Sequence, residues 1–299
     1  MASQSSSQAC HRVAERFAKD VYVHTVASSI SNELFSSFFG HYHYSLGIPS
    51  ERFHFVLHLH AQRDDDAAIR VLSKHNISWM SIRGHFDPSI RNGLVNSWVR
   101  TLPTSAYIIN SDVDEHYVYP CHATQNVLHQ AQVKRALCAH MVERVASTFI
   151  LEPAPRSLSA MHRTFGLCAS VRGILRSGWT LKIILVPAAL SPNWITAHGA
   201  RTDGGFVGFH GNQMRGCTMA PPFSHYAYSA SALEMMKQKT KQTALANETY
   251  SREIATLALA PGDGTSSRHR VAFSAEMAAQ IAKGAVPCPD SSTLQHLGQ

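Results

Sequence analysis

The chain has 299 residues, 44% of them hydrophobic and 16% charged, which excludes wholesale disorder and leaves core material for one large α/β domain or two small ones. A formal charge of +7 and a pI near 9.2 raise the question of a polyanionic partner. Lys and Arg are thinly spread, with no basic run and no aromatic-basic repeat; nucleotide phosphate accounts for the excess as well as nucleic acid does, and no nucleic acid partner is expected.

The 19 His read mostly as surface or polar core positions, and they add positive charge below their ordinary pKa of about 6.5. Cys10, Cys121, Cys138, Cys168, Cys217 and Cys288 are widely separated and form no C-x-x-C. That spacing argues against a zinc site or a compact disulfide framework, and reduced structural thiols are expected. No apolar run reaches 18 residues, so no transmembrane segment is expected. Met1 to Gln8 carries no hydrophobic signal core. A cytoplasmic protein is expected, with a Golgi-like compartment as the alternative should an anchor be missing.

After a polar leader, 1–18, the β-branched density of Asp20 to Ala27 predicts a first strand. A helix over Glu33 to Leu46 follows, with Leu34, Phe38, Phe39 and Tyr42 at spacings of three and four and Gly47 as its stop. Phe53 to His60 is a second strand, and Arg63-Asp-Asp-Asp66 leads into a helix carrying Ala68, Ile69, Val71 and Leu72. Asn76 to Arg83 is a third strand. Asp87 to Arg100 is a helix with Leu94, Val95 and Trp98 on one face. Ala106 to Asn110, after Pro103, is a fourth strand. Such alternation predicts an α/β fold, a mixed, mostly parallel sheet flanked by helices.

Downstream, Val127, Ala131, Leu137, Met141 and Val145 predict a helix within Ala123 to Val145, and Thr180 to Val186 predicts a strand stopped by Pro187. Glycines and prolines crowd Gly199 to Pro222, read as an irregular loop. Ser231 to Asn247 returns to helix. From about Leu259 the chain reads as peripheral, with one amphipathic helix over Ser274 to Lys283. The domain boundaries read from this pattern are a 1–18 leader, a 19–255 main domain and a 256–299 extension.

The fourth strand runs directly into Asp112, Asp114 and Glu115. In an open α/β sheet ligands bind outside the carboxyl ends of strands, so these acids sit where a site is expected. Asp112 and Asp114 are two apart and point the same way on a continuing strand. Hard carboxylates of this kind suit Mg²⁺ or Mn²⁺. The bland reading is a solvated acidic turn.

Several segments together resemble glycosyltransferases of the GT-A fold, in particular the family 2 and family 92-like enzymes. Asn32-Glu33 is similar to the Asn-Glu that opens the family's first helix, and His41-Tyr-His-Tyr-Ser-Leu-Gly-Ile48 to the end of that helix. Ser111-Asp-Val-Asp-Glu115 matches their D-x-D-E, and Tyr119-Pro-Cys121 also fits. Met141-Val-Glu-Arg-Val-Ala146 is similar to M-x-D-R-x-A, with Glu143 where Asp is usual. His225-Tyr-Ala-Tyr228, opening a helix, looks like a metal-ligating His motif. The run Val26-Ala-Ser-Ser29 departs from the family, which often carries Arg or Lys there.

This resemblance implies a GT-A-like (Rossmann-like) fold and a metal-dependent, hexosyltransferase-like enzyme. It would transfer sugar, with inversion, from a UDP- or GDP-linked nucleotide-sugar donor to a glycan, lipid or protein acceptor. It also implies Mn²⁺ or Mg²⁺ as cofactor, held by Asp112, Asp114 and His225. Asp112 would alternatively meet the donor ribose, and Asp64, Asp65 or Asp66 would read the nucleoside.

Inversion requires a base for the acceptor hydroxyl, and Glu143 and Glu152 are the two acids between Glu115 and Asp203. Glu143 is the preferred base and Glu152 the reserve; an exposed helix acid is the alternative for Glu143. His198 fits acceptor contact and loop structure equally. His54, His58 and His60 share a strand face, a pattern more often packed than ligating. Lys182 and Arg215 could meet phosphate, though solvated charge is the simpler reading. An aspartate-nucleophile phosphatase is disfavoured, because His116 stands where that motif needs Thr and three strands come first. A GT-A-like protein that binds nucleotide or glycan without turnover is the other reading.

Overall fold

The structure, a computed structural model, describes residues 19–27, 32–59, 66–84, 88–117, 136–175, 181–194, 199–202, 205–210, 213–220, 222–229, 233, 251, 254–255, 257–259 and 271–288. β1 (Val21–Ala27) buries most of its length. α1 (Asn32–Phe39) lays Leu34, Phe35 and Phe38 on the sheet. A π turn over Gly40–Ser45 follows and keeps Tyr42 buried, so the expected helix over Glu33 to Leu46 is present in two pieces. Gly47 stops it at φ 71°, a conformation that side-chain-bearing residues resist.

β2 (Phe53–Leu59), α2 (Asp66–Lys74), β3 (Trp79–Arg83), α3 (Pro88–Val99) and β4 (Tyr107–Asn110) complete the expected alternation. The strand order β3-β2-β1-β4 is parallel throughout. The chain winds outward from β1 to β3 and then returns to the other side of β1 for β4. Right-handed crossovers therefore put α1 and α2 on one face and α3 on the other. Pleating divides β4 accordingly: Tyr107 and Ile109 join Phe35, Phe38 and Phe55, while Ile108 joins Val95 and Val99 of α3. Each such side chain, fully buried, contributes about 1.5–3 kcal/mol.

β5 (Glu115–His116) precedes β6 (Ala136–Val145), α4 (Leu158–Thr164), β7 (Leu167–Ala169), α5 (Val171–Leu175) and β8 (Leu181–Pro187). β8 lies antiparallel between β4 and β6, and β7 lies antiparallel on β6. The result is the mixed sheet flanked by helices expected from the sequence, parallel through β3-β2-β1-β4 and mixed beyond it.

The expected helix within Ala123 to Val145 is overturned over residues 136–145, which form β6; 118–135 lie outside the described residues. Leu137, Ala139 and Met141 face one core and Ala136 and Cys138 the other. A strand buried on both faces loses its polar alternation, and its apolar positions then match a helical spacing by coincidence.

The expected irregular loop over Gly199 to Pro222 is also overturned. β9 (Asn193–Trp194), β10 (Gly199–Thr202), β11 (Gly205–His210) and β12 (Gln213–Arg215) form an antiparallel sheet. Two of the glycines serve turns, Gly205 at φ 108° and Gly216 at φ 66°. β13 (Cys217–Met219) and β14 (Phe223–His225) then run parallel to β6. The helix expected over Ser231 to Asn247 lies outside the described residues, apart from Leu233.

β15 (Leu257–Leu259) pairs with β16 (Val271–Phe273), and α6 (Ala275–Gly284) buries Met277 and Ile281 behind a Ser274 cap. β17 (Val286–Pro287) closes the sheet edge on β7. The expectation of reduced thiols is overturned by Cys138–Cys217 and Cys168–Cys288 disulfides. Their partners stand 79 and 120 residues apart, beyond what local spacing can signal. Among the described residues no helix is long and apolar enough to cross a membrane.

Candidate active site at the β1–β4 switch point

Strand order reverses between β1 and β4, so the crevice outside their carboxyl ends is the ligand position of an open α/β sheet. The Ser111 N–H donates to His24 O at 3.0 Å, which carries the β1 pairing one residue past β4. The Glu115 N–H then donates to Asp112 O at 3.0 Å and closes a turn. Asp112 and Asp114 therefore do not continue a strand, and the same-side expectation fails with it.

Asp112 turns toward two cations. Its Oδ1 accepts from Arg91 Nη2 at 2.8 Å and its Oδ2 from Lys182 Nζ at 3.2 Å, while its side chain stays 37% exposed. Beneath it, Glu115 Oε2 accepts from Lys182 Nζ at 2.6 Å, Tyr117 OH at 2.9 Å and the Asp112 N–H at 3.0 Å. Lys182, read from the sequence as a solvated charge, is 1% exposed. Its cost of burial is offset by two carboxylates, as a buried ion requires.

Asp114 turns toward His225. β14 lies antiparallel to β5 with His225 opposite Glu115, and the Tyr226 N–H donates to Asp114 O at 2.8 Å. These backbone bonds set His225 Nε2 3.3 Å from Asp114 Oδ2. His225 ends a strand rather than opening a helix, because β5 and β6 both pair with it.

The parallel pairing of β14 with β6 sets His225 opposite Glu143. Glu143 is fully buried on β6, not an exposed helix acid, and its Oε2 accepts from the Val171 N–H at 2.9 Å. Burial raises its carboxyl pKa, opposed by His225 and by Arg172, whose Nε lies 4.0 Å from Oε1. Glu143 Oε1 and His225 Nδ1 are both buried without a hydrogen-bond partner.

Asp114 and His225 offer a hard oxygen and a neutral imidazole, a donor pair acceptable to Mn²⁺ or Mg²⁺ when water and phosphate complete the shell. The nitrogen that faces Asp114 is Nε2, and the unpartnered Nδ1 is the other nitrogen of the ring. Among the described residues no group of three or more His, Cys, Asp or Glu is arranged to hold a metal.

Of the remaining expected residues, Asp66 opens α2, whereas Asp64, Asp65, His60 and His198 lie outside the described residues. Glu152 is half-buried in the segment after β6, and Arg215 ends β12. His54 is packed: it stacks on Trp98 at 4.8 Å and shares a 2.8 Å Nδ1–Nδ1 hydrogen bond with His24. His58 is buried.

No known protein family matches the sequence, and no curated protein does either. Among solved structures, PcManGT, a mannosyltransferase from Pyrobaculum calidifontis in complex with GDP-Man and Mn²⁺, is similar at 12% identity and TM-score 0.39. The match covers 87% of this chain and 74% of that one. S. aureus TarS 1-349 is similar at 10% identity and TM-score 0.27, over 56% of this chain and 48% of that one.

Sequence reasoning missed Arg91 and Tyr117. Nothing local marks them, since their partners are chosen by the turn after β4. Lys182 did carry a signal, a lone cation inside the apolar run Leu181-Lys-Ile-Ile-Leu-Val186, where a charge is seldom buried unless paired.

Proposed function

We propose that the chain is a metal-dependent glycosyltransferase that takes a nucleotide-sugar donor, UDP- or GDP-linked, and transfers the sugar with inversion to a hydroxyl of a glycan, lipid or protein. The observation that carries this reading is the meeting of Asp114 and His225 outside the carboxyl end of β4, at the switch point. Asp114 and His225 would hold Mn²⁺ or Mg²⁺, which when bound neutralises the leaving diphosphate. Asp112, partly exposed and already balanced by Arg91 and Lys182, is placed to accept hydrogen bonds from donor hydroxyls. Asp64, Asp65 or Asp66 would read the nucleoside.

In the transfer the acceptor oxygen bonds to the anomeric carbon as the bond to the diphosphate breaks, and a carboxylate takes the hydroxyl proton. Glu143 is the proposed base, its carboxyl pKa raised by burial against the opposing effect of His225, with Glu152 in reserve. The two disulfides favour an oxidising, Golgi-like compartment over the cytoplasm.

The full burial of Glu143 also favours a second reading, a GT-A-like protein that binds nucleotide or glycan without turnover. One experiment separates them. UDP- and GDP-sugars are screened with Mn²⁺ for thermal shift and, separately, for release of free nucleotide diphosphate. Binding with release supports the transferase, binding without release the binder, and no shift with any donor rejects both.

A further inference from the structure

We infer that the buried Lys182–Glu115 pair is a positioning device for Asp112, setting the donor-side carboxylate of the acidic turn from beneath. The inference rests on the reading of the switch-point crevice as a nucleotide site. Lys182 Nζ lies 2.6 Å from Glu115 Oε2 and 3.2 Å from Asp112 Oδ2, so one ammonium ties both carboxylates. The side chains of Lys182 and Glu115 are 1% and 2% exposed and their charges are met by each other, whereas Asp112 is 37% exposed and open to a ligand.

The arrangement is over-determined in a way a stray ion pair is not. Glu115 Oε2 also accepts the backbone N–H of Asp112 at 3.0 Å and the hydroxyl of Tyr117 at 2.9 Å. Tyr117 OH also lies 2.9 Å from the carbonyl of Asn110, the last residue of β4, so its one hydrogen is shared between the two acceptors. Both ends of the turn, Asn110 and Tyr117, are thereby fastened to the carboxylate that holds Lys182. The cation itself comes from β8, the antiparallel strand beside β4, so its height under the turn is set by the sheet rather than by a loop. A short buried hydrogen bond between charged groups of this kind is strong and directional.

A stabilising pair and a positioning pair differ in what happens when both partners are neutralised together. Removing one charge strands the other in the interior, which destabilises any buried pair and tests nothing about function. The combination Lys182→Met with Glu115→Gln keeps side-chain volume and leaves no buried charge, so the fold is expected to survive with a melting temperature close to wild type. Asp112 then loses its cation from beneath. The affinity for UDP and GDP in the presence of Mn²⁺, measured by titration calorimetry, is expected to fall roughly 10–100-fold, the range seen when the partners that orient a ligating group are removed.

Adding Asp112→Asn to the pair should produce no further loss, because the effect runs through the Asp112 carboxylate. Affinity equal to wild type in the folded double variant, or losses that multiply with Asp112→Asn, would overturn the inference alone. If the double variant does not fold, Tyr117→Phe removes one fastening of Glu115 without stranding a charge and should lower the same affinity; an unchanged affinity there overturns the inference equally. Wild-type protein that binds neither nucleotide overturns the nucleotide-site reading and this inference with it.

Discussion

His225 Nε2 lies 3.3 Å from Asp114 Oδ2, although over a hundred residues separate them. The contact is not an accident of side-chain reach, because the Tyr226 N–H is hydrogen-bonded to the carbonyl of Asp114 itself. Two backbone ladders, β14 on β5 and β14 on β6, hold the imidazole at the end of the acidic turn. A residue so placed is either a ligand or a structural tie, and substitution distinguishes the two.

Asp114→Ala and His225→Ala should each weaken Mn²⁺-dependent UDP or GDP binding at least about tenfold, equivalent to about 1.4 kcal/mol. Nucleotide titrations with Mn²⁺ and with chelator check this. A merely structural tie would lower the melting temperature and leave the Mn²⁺ dependence as in wild type.

Glu143→Gln keeps the shape and the Val171 N–H bond while removing the carboxylate that would take a proton. If Glu143 is the base, kcat should fall by roughly 10²–10⁴ with nucleotide affinity unchanged. Steady-state transfer assays beside calorimetry test it, and a variant that turns over like wild type moves the role to Glu152.

The Cys168–Cys288 bridge ties residue 288 back to β7, closing 120 residues of chain, and Cys138–Cys217 closes 79. Cys168→Ser with Cys288→Ser should cost about 2–5 kcal/mol of stability, mainly by freeing the unfolded chain. Non-reducing peptide mapping should recover both bridged peptides. Recovery of free thiols at these four positions would restore the reduced state expected from the sequence.

How much of this was legible follows from what each residue's environment demands. Val21 to Ala27 and Tyr107 to Asn110 carry dense apolar strand signals bounded by polar turns, and each forms a strand. Ala136 to Val145 has cores on both faces, so the alternation that announces a strand is missing and its i+4 coincidences read as a helix. Asp112, Asp114 and His225 stood out by residue type. Their partition, Asp112 to Arg91 and Lys182 and Asp114 to His225, is decided by one turn bond and two strand pairings that no local pattern encodes. The disulfides are hidden for the same reason.

Acid stability should be governed in part by His41, which is buried under the acidic turn. Its Nε2–H donates to the Tyr117 carbonyl at 2.8 Å, and its ring stacks on His116 at 4.9 Å. Burial pushes its pKa down to about 4, with the Tyr117 bond opposing. The folded state therefore holds His41 neutral across a range where the unfolded chain, with a pKa near about 6.5, takes up a proton. Because the unfolded state binds more protons there, stability is full above about pH 6.5 and declines as pH falls toward about 4. At about 1.4 kcal/mol per pH unit, His41 alone accounts for a loss of up to about 3 kcal/mol. His41→Asn, which keeps a side-chain donor without a titrating ring, should flatten urea-derived stability against pH over that window. A slope identical to wild type would assign the acid lability to other groups.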